Sequence, residues 1–404
     1  MRVTIFMKMS QDVKLLISLF LPFFLIHCVQ QIYLTYAIML QIHGFSYEAI
    51  GWIIGVYSLA AMLTRPLGGW LLENFAIRRI LVWSGLLSFA GCSLFFFKES
   101  AELLFIGRAM SGTAFGIYSM GLFSHQALCV SEKRRGAMFS LLVVGSILPM
   151  GVVAPLGEWL LYSSLNMLYL AVGPALSILC CFFGAKVDMP AAREPHNRGG
   201  KAWGTYSGLF SSRAFLFLAL TGTVIALVDS LIITISLLAA EKGLLTSYFL
   251  VAVSITAIIV RLPGASLVNV LPRVPLLAPC GILMASSIVL VSLFPSNNTL
   301  IAGGVLFGVG IGAGWPMYHA LIGDILAPAL LPKGTATALL LYDIGFFVTP
   351  LLVGYFLPRF GMTATFAVIA LTAGGVLVLL EVFYWLPFYW KSRSQLDPND
   401  KPSP

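Results

Sequence analysis

Twelve apolar stretches of about twenty residues or more, parted by short polar turns or charge clusters, constrain this chain more than any other feature. They run over 15–40, 46–72, 79–97, 103–127, 136–160, 166–185, 213–238, 246–270, 275–294, 299–323, 334–357 and 362–388. A helix needs about 20 mostly apolar residues to cross a hydrocarbon core about 30 Å thick. In lipid every backbone N–H and C=O must be satisfied internally, which for stretches of this length selects helices. Composition agrees, with 59% hydrophobic and 10% charged residues against about 45–50% and 25% in soluble domains. The expected fold class is therefore an all-α membrane protein with twelve transmembrane helices. The first stretch runs past twenty residues without a small-residue cleavage site to close it, so it is expected to be retained rather than cleaved as a signal peptide.

The stretches are not twelve independent solutions. Arg65-Pro66-Leu67-Gly68 recurs 196 positions later as Arg261-Leu262-Pro263-Gly264, and the same offset carries Leu71, Glu73, Gly112 and Gly116 onto Leu267, Asn269, Gly308 and Gly312. Two pseudo-repeated bundles of six helices follow, a construction expected of secondary transporters, whose substrate lies where the repeats meet. The expected division is an N-terminal half at 1–186, a linker loop at 187–212, a C-terminal half at 213–390 and a disordered tail at 391–404. Pro190, Pro195, Gly199 and Gly200 give the linker its loop composition. A second alignment pairs Gly44 with Gly243, an offset of 199, and sets Gln30 opposite Asp229.

A formal net charge of +8 reads as topology rather than as a nucleic-acid footprint. With the N-terminus in the cytosol, 18 of the 24 basic residues fall on the cytosolic side, including Arg78-Arg79 and Lys133-Arg134-Arg135. Only Lys98, Lys242 and Arg359 fall outside, so both termini are expected in the cytosol. Basic linker residues either touch anionic lipid headgroups or form a plain solvated loop. The six cysteines lie in or beside apolar stretches without metal-ligand spacing and read as packing residues. No metal, cofactor or nucleic-acid partner is expected.

The passage Gly69-Trp70-Leu71-Leu72-Glu73-Asn74-Phe75-Ala76-Ile77-Arg78-Arg79 resembles the major facilitator superfamily signature G-x-L-a-D-r-x-G-r-k between helices two and three. Gly69, Leu71 and Arg78 match, Glu73 stands for the aspartate, and Ala76 and Ile77 depart from the pattern. The resemblance implies that Gly69, Glu73, Arg78 and Arg79 form a conformational latch, with Glu73 facing the start of helix eleven at Gly334-Thr335-Ala336-Thr337, where a helix N-terminus favours an anion. The alternative is that the arginines serve topology alone. Ala154-Pro155-Leu156-Gly157-Glu158 loosely resembles the G-P-x-x-G-G signature of drug antiporters on helix five.

Arg108 lies five residues after Leu103, about 7 Å below the outer boundary, and resembles the family's helix-four arginine, for which the resemblance implies proton coupling. The alternative is an arginine snorkelling to the interface. Asp229 and Asp343 fall near the bilayer middle, where an isolated carboxylate either exchanges protons or sits in a static ion pair or hydrogen bond. The family architecture lines its cavity with helices one, four, seven and ten. That implies cavity positions for His27, Gln30, Gln31, Tyr118, Trp315, Tyr318 and His319; the alternative for each is ordinary packing or an interfacial belt. Arg65 and Arg261 are expected near the cytosolic ends of helices two and eight.

The expectation is proton-coupled export of a small organic molecule by alternating access, an efflux antiporter in a bacterial inner membrane, acting as a monomer. Proton-linked uptake of a metabolite is the alternative, and a channel or a receptor the reading from a different class. An enzyme is not expected, because no nucleophile and base or metal constellation clusters at either membrane face.

Overall fold

The computed structural model describes residues 2–129, 132–163, 165–187, 205–261, 272–327 and 329–394. Within them, side chains are described except at 2–16, 65, 66, 68–70, 72, 73, 127–129, 132–141, 332, 392 and 394. Most of the expected linker and tail, and the side chains of Arg65, Gly69 and Glu73, lie outside this description.

All regular structure among the described residues is helical. The first half contains α1 (Arg2–Gln31), α2 (Tyr36–Ile42), α3 (Tyr47–Asn74), α4 (Ile77–Ser93), α5 (Ala101–Cys129), α6 (Glu132–Tyr162) and α7 (Asn166–Gly184). A short α8 (Tyr206–Phe210) precedes α9 (Arg213–Asp229), α10 (Ile235–Glu241), α11 (Ser247–Arg261), α12 (Val274–Leu293), α13 (Asn297–Ile325), α14 (Leu331–Leu380) and α15 (Leu386–Ser394). Nine helical spans among the described residues are long and apolar enough to cross a membrane. The last of them, Lys333–Lys391, changes direction at Gly361, whose φ of 77° glycine adopts without the Cβ clash that other residues meet. α11 is described for only 15 residues.

The repeat seen in the sequence reappears in the packing, pair by pair. Gly112 on α5 lies against the Tyr57 backbone of α3, and Gly308 on α13 lies against Val253 of α11, each contact shifted by 196. Gly116 meets Ala61 and Thr64, while Gly312 meets Ala257 and Val260, again 196 apart. Small residues let backbones approach, and in lipid such close packing replaces the hydrophobic effect as the force between helices. A Cβ on Gly112 would collide with the Tyr57 carbonyl oxygen. Gly112→Val is therefore expected to force α3 and α5 apart and destabilise the fold by at least about 1–3 kcal/mol, the usual range for overpacking. Gly308→Val should do the same in the second half, whereas Gly375→Ala, with nothing within 4 Å, should not. Thermal unfolding in detergent reads the difference; an unchanged midpoint for Gly112→Val contradicts the contact.

The second offset, 199, is equally literal. Gly44 and Gly243 have φ of 79° and 66°. Phe45 N–H donates to Leu40 O and Leu244 N–H to Ala239 O, so the two turns share their hydrogen-bond pattern. Each turn follows a helix that is broken: a 3₁₀ segment at Ile32–Thr35 parts α1 from α2, and one at Ser230–Ile233 parts α9 from α10.

The halves meet at the end of the bundle away from both termini, here the distal end. Gly51 on α3 abuts Pro350 and Gly354 on α14, and Trp52 meets Phe347 at 6.3 Å between rings. Ser254 on α11 donates to Ile147 O on α6 at 3.0 Å, Ser236 donates to Leu34 O at 3.4 Å between the two helix breaks, and Arg359 pairs with Glu48 at 3.3 Å.

Candidate functional site

A broken helix leaves backbone groups that the i to i+4 ladder no longer satisfies, and in membrane transporters such breaks mark binding sites. Here the two breaks stand opposite one another, and Ser236 on α10, just after the second break, donates to Leu34 O in the first. Candidate residues from both halves gather around them.

On the second half, Asp229 is the last residue of α9 before its break and is 4% exposed. Tyr342 on α14 donates its hydroxyl to Asp229 Oδ2 at 2.9 Å. Arg261, at the end of the described part of α11, lies within range of the Asp229 charge. It is buried, donating from Nη2 to Ile311 O at 3.2 Å and from Nε to Gly312 O at 3.4 Å. The tight approach of α11 to α13 at Gly312 fixes those carbonyls within its reach. Asp343 is half-buried and interacts electrostatically with Tyr318 and Tyr342. Adjacent helix positions point about 100° apart, so Tyr342 and Asp343 serve different neighbours.

Trp315 and His319 form a half-buried pair with ring centroids 3.8 Å apart, His319 Nδ1 lying 2.9 Å from Trp315 O. The Arg261 guanidinium stands 5.8 Å from the Trp315 ring. Tyr318, by contrast, is wholly buried, donating to Ala338 O at 3.1 Å and resting on Gly222, so it ties α13 to α9 and α14.

On the first half, Arg108 is 5% exposed, between the rings of Tyr57 and Tyr36. It does not snorkel to the interface. His27 bonds Phe23 O through Nδ1 at 2.8 Å and packs against Phe23 and Phe115. Gln30 and Gln31 are half-buried just before the break, and Gln31 Oε1 has no hydrogen-bond partner. Tyr118 leaves the cavity set: it is fully buried and donates to Cys180 O at 2.9 Å, holding α5 to α7. Helix five of the sequence numbering contributes a residue the sequence left in a loose motif, Glu158, whose carboxylate accepts hydrogen bonds from the α11 end of the other half.

For the expected latch, Arg78 and Arg79 are exposed, and Arg78 Nε donates to Val187 O at 2.8 Å. That bond ties the start of α4 to the chain after α7, within one half. Gly69 and Glu73 lie outside the described side chains.

Sequence reasoning missed Tyr36, Tyr57 and Tyr342. Each is a tyrosine in an apolar helix, and nothing local distinguishes it from packing tyrosines until the distant charge it touches is known. No group of three or more His, Cys, Asp or Glu with metal-holding geometry occurs among the described residues.

The sequence model of the Major Facilitator Superfamily matches residues 18–260 and again 230–396. Multidrug resistance protein 1 of Bacillus subtilis (strain 168) is 26% identical over 226 residues, covering 54% of this chain and 56% of that protein. The match thus spans little more than half the length of that relative. The fold is similar to the crystal structure of the human organic anion transporter MFSD10 (TETRAN), with a TM-score of 0.67 and 15% identity over 92% of this chain and 99% of that one. It is also similar to a bacterial homolog of the human lysosomal transporter Spinster in an inward-facing and unoccupied conformation, with a TM-score of 0.71 and 14% identity over 97% and 98% of the two chains.

Proposed function

We propose that this chain, which belongs to the major facilitator superfamily and is a multi-pass membrane transporter, exports a small organic molecule in exchange for protons. The observation that carries this reading is Asp229: a carboxylate buried at a helix break, held by the Tyr342 hydroxyl and facing the Arg261 charge. Burial of a charge is costly unless paired, so buried acids in transmembrane segments mark ion pathways.

In the deprotonated state, Tyr342 and Arg261 stabilise the Asp229 carboxylate and hold α9, α14 and α11 together. A proton added to the carboxylate removes the attraction for Arg261 and loosens that junction beside the break. Cargo and proton therefore compete for one arrangement of the second half, and the halves rock about the breaks. Asp343, beside Tyr342, is the second candidate carboxylate, and Trp315, His319, Gln30 and Gln31 border the cargo.

Twelve crossings place both termini on the same face, in the cytosol by the distribution of basic residues, in a bacterial inner membrane. The distal closure then corresponds to an inward-facing state, and the monomer is the working unit. The halves span 1–186 and 213–390, joined by the 187–212 linker, with Gly69, Glu73, Arg78 and Arg79 as a latch at the cytosolic end.

Flux through proteoliposomes carrying the full chain tests this, with cargo first identified by thermal stabilisation. An imposed pH gradient should drive cargo against the proton flow, and a protonophore should stop it. Flux indifferent to the protonophore overturns coupling; cargo moving with the proton makes the chain an uptake symporter.

A further inference from the structure

Among the described residues, Arg108 is a buried cation with no acid beside it. Its guanidinium carbon stands 4.6 Å from the Tyr57 ring and 5.5 Å from the Tyr36 ring, and Tyr33, Tyr169 and Cys92 lie within range of its charge. All of these neighbours are uncharged in their ordinary protonation states. Among the described residues no carboxylate pairs with it.

Two donors in this cluster are left over. Arg108 Nε and Tyr36 Oη are both buried, and neither has a hydrogen-bond partner. An unsatisfied buried group costs about 1–3 kcal/mol and a charged one more. Stacking on aromatic faces contributes about 2 kcal/mol or more when desolvated, but it gives the N–H no acceptor. Elsewhere the chain satisfies such groups by reaching a neighbouring backbone: Arg261 finds Ile311 and Gly312, Tyr118 finds Cys180, Tyr318 finds Ala338. Among the described residues Gln126 Nε2, Thr246 Oγ1 and Thr365 Oγ1 also lack a partner, but Arg108 carries a charge, and with Tyr36 beside it the pair calls for an acceptor that the chain does not supply.

We propose that Arg108 and Tyr36 form a subsite for a carboxylate group of the transported molecule. One carboxylate accepts the Arg108 N–H and the Tyr36 O–H together, both as charge-assisted bonds, and the tyrosine faces keep water away. Tyr36 is the first residue of α2, directly after the 3₁₀ segment. A carboxylate bound there therefore pulls on the break whose Leu34 carbonyl receives Ser236 of the other half. The cargo class that follows is organic acids and zwitterions. This rests on the transport reading above, but its test does not depend on proton coupling.

Formate, the smallest carboxylate, is the probe, added as its sodium salt to the purified full chain at fixed ionic strength, with sodium chloride and neutral formamide as controls. Formate should raise the thermal unfolding midpoint, and neither control should match it. Arg108→Gln should weaken the formate effect roughly tenfold or more, about 1.4 kcal/mol, and Tyr36→Phe, which keeps the ring, should weaken it less. Glu48→Gln, at the exposed pair with Arg359, should leave it intact. An equal shift with chloride means a general anion site and overturns the carboxylate assignment. No formate effect, or one unchanged in a folded Tyr36→Phe protein, overturns the subsite. If Asp229→Asn still uncouples protons in that case, the transport reading stands without it.

Discussion

Replacing Glu158 with alanine is expected to open the distal end of the molecule. Glu158 sits near the end of α6, is 1% exposed, and crosses to the other half. Oε1 accepts the Thr246 N–H at 2.7 Å, and Oε2 accepts the Ser247 N–H at 2.8 Å and the Ser247 hydroxyl. These are groups at the start of α11, where the first N–H groups of a helix have no internal partner and the helix dipole favours an anion. Hydrogen bonds to a charged group contribute about 1.5–3 kcal/mol each, and breaking a buried charged set costs about 3–5 kcal/mol. The ratio of distal-closed to distal-open molecules should fall about a hundredfold or more, since each tenfold is 1.4 kcal/mol. Glu158→Gln, which keeps one carbonyl acceptor, should lie between. Glu48→Gln should do little, because the Glu48–Arg359 pair is about half exposed and such pairs contribute about 0–1 kcal/mol. Spin labels at Ser163 and Leu245 read the separation; distances unchanged in Glu158→Ala would remove Glu158 as a gate.

The second large effect is expected at Asp229. Asp229→Asn keeps the shape and the Tyr342 contact but removes the charge that faces Arg261. Gradient-driven transport should fall at least about tenfold to a hundredfold, the scale of 1.4–2.8 kcal/mol of lost coupling, while exchange of cargo across the membrane without a gradient should persist. Tyr342→Phe should lower gradient-driven flux less, because it removes one hydrogen bond and leaves the charge. If Asp229→Asn retains coupling and Asp343→Asn loses it, the proton site moves one position along from Tyr342.

The repeat was legible in the sequence because it rests on glycines whose purpose is close backbone approach. Gly112, Gly116, Gly308 and Gly312 are needed where two helices touch, and a residue required for its lack of a side chain leaves a periodic mark. The turn glycines Gly44 and Gly243 left theirs for the same reason, through positive φ. The breaks did not. Ile32-Tyr33-Leu34-Thr35 and Ser230-Leu231-Ile232-Ile233 hold no proline or glycine. Their geometry is held from outside, by Tyr33 donating to Leu170 O and Ser230 to Gly345 O. Those bonds join residues more than a hundred positions apart and cannot be read locally.

The assignment of side chains to a cavity was legible only in part. A soluble helix shows its buried face by the polarity of the other one, but a helix between lipid and protein is apolar all round. Helix number alone therefore put Tyr118 and Tyr318 beside the cargo, and the structure turns both into the packing of their own halves. Arg108 and Asp229 were found because a charge in an apolar helix is visible from composition. What surrounds them, tyrosines for the first and Tyr342 with Arg261 for the second, came from helices far along the chain.

If cargo and proton compete through Asp229, proton release on cargo binding measures that competition most directly. Cargo identified by thermal stabilisation is added to the purified full chain in weakly buffered detergent solution containing a pH-sensitive dye. The wild-type protein is predicted to release protons as cargo binds, and Asp229→Asn to bind cargo without releasing them. Equal release from Asp229→Asn, or cargo binding to the wild type with no release at any pH between 5 and 8, the usual window for such exchange, would contradict the account.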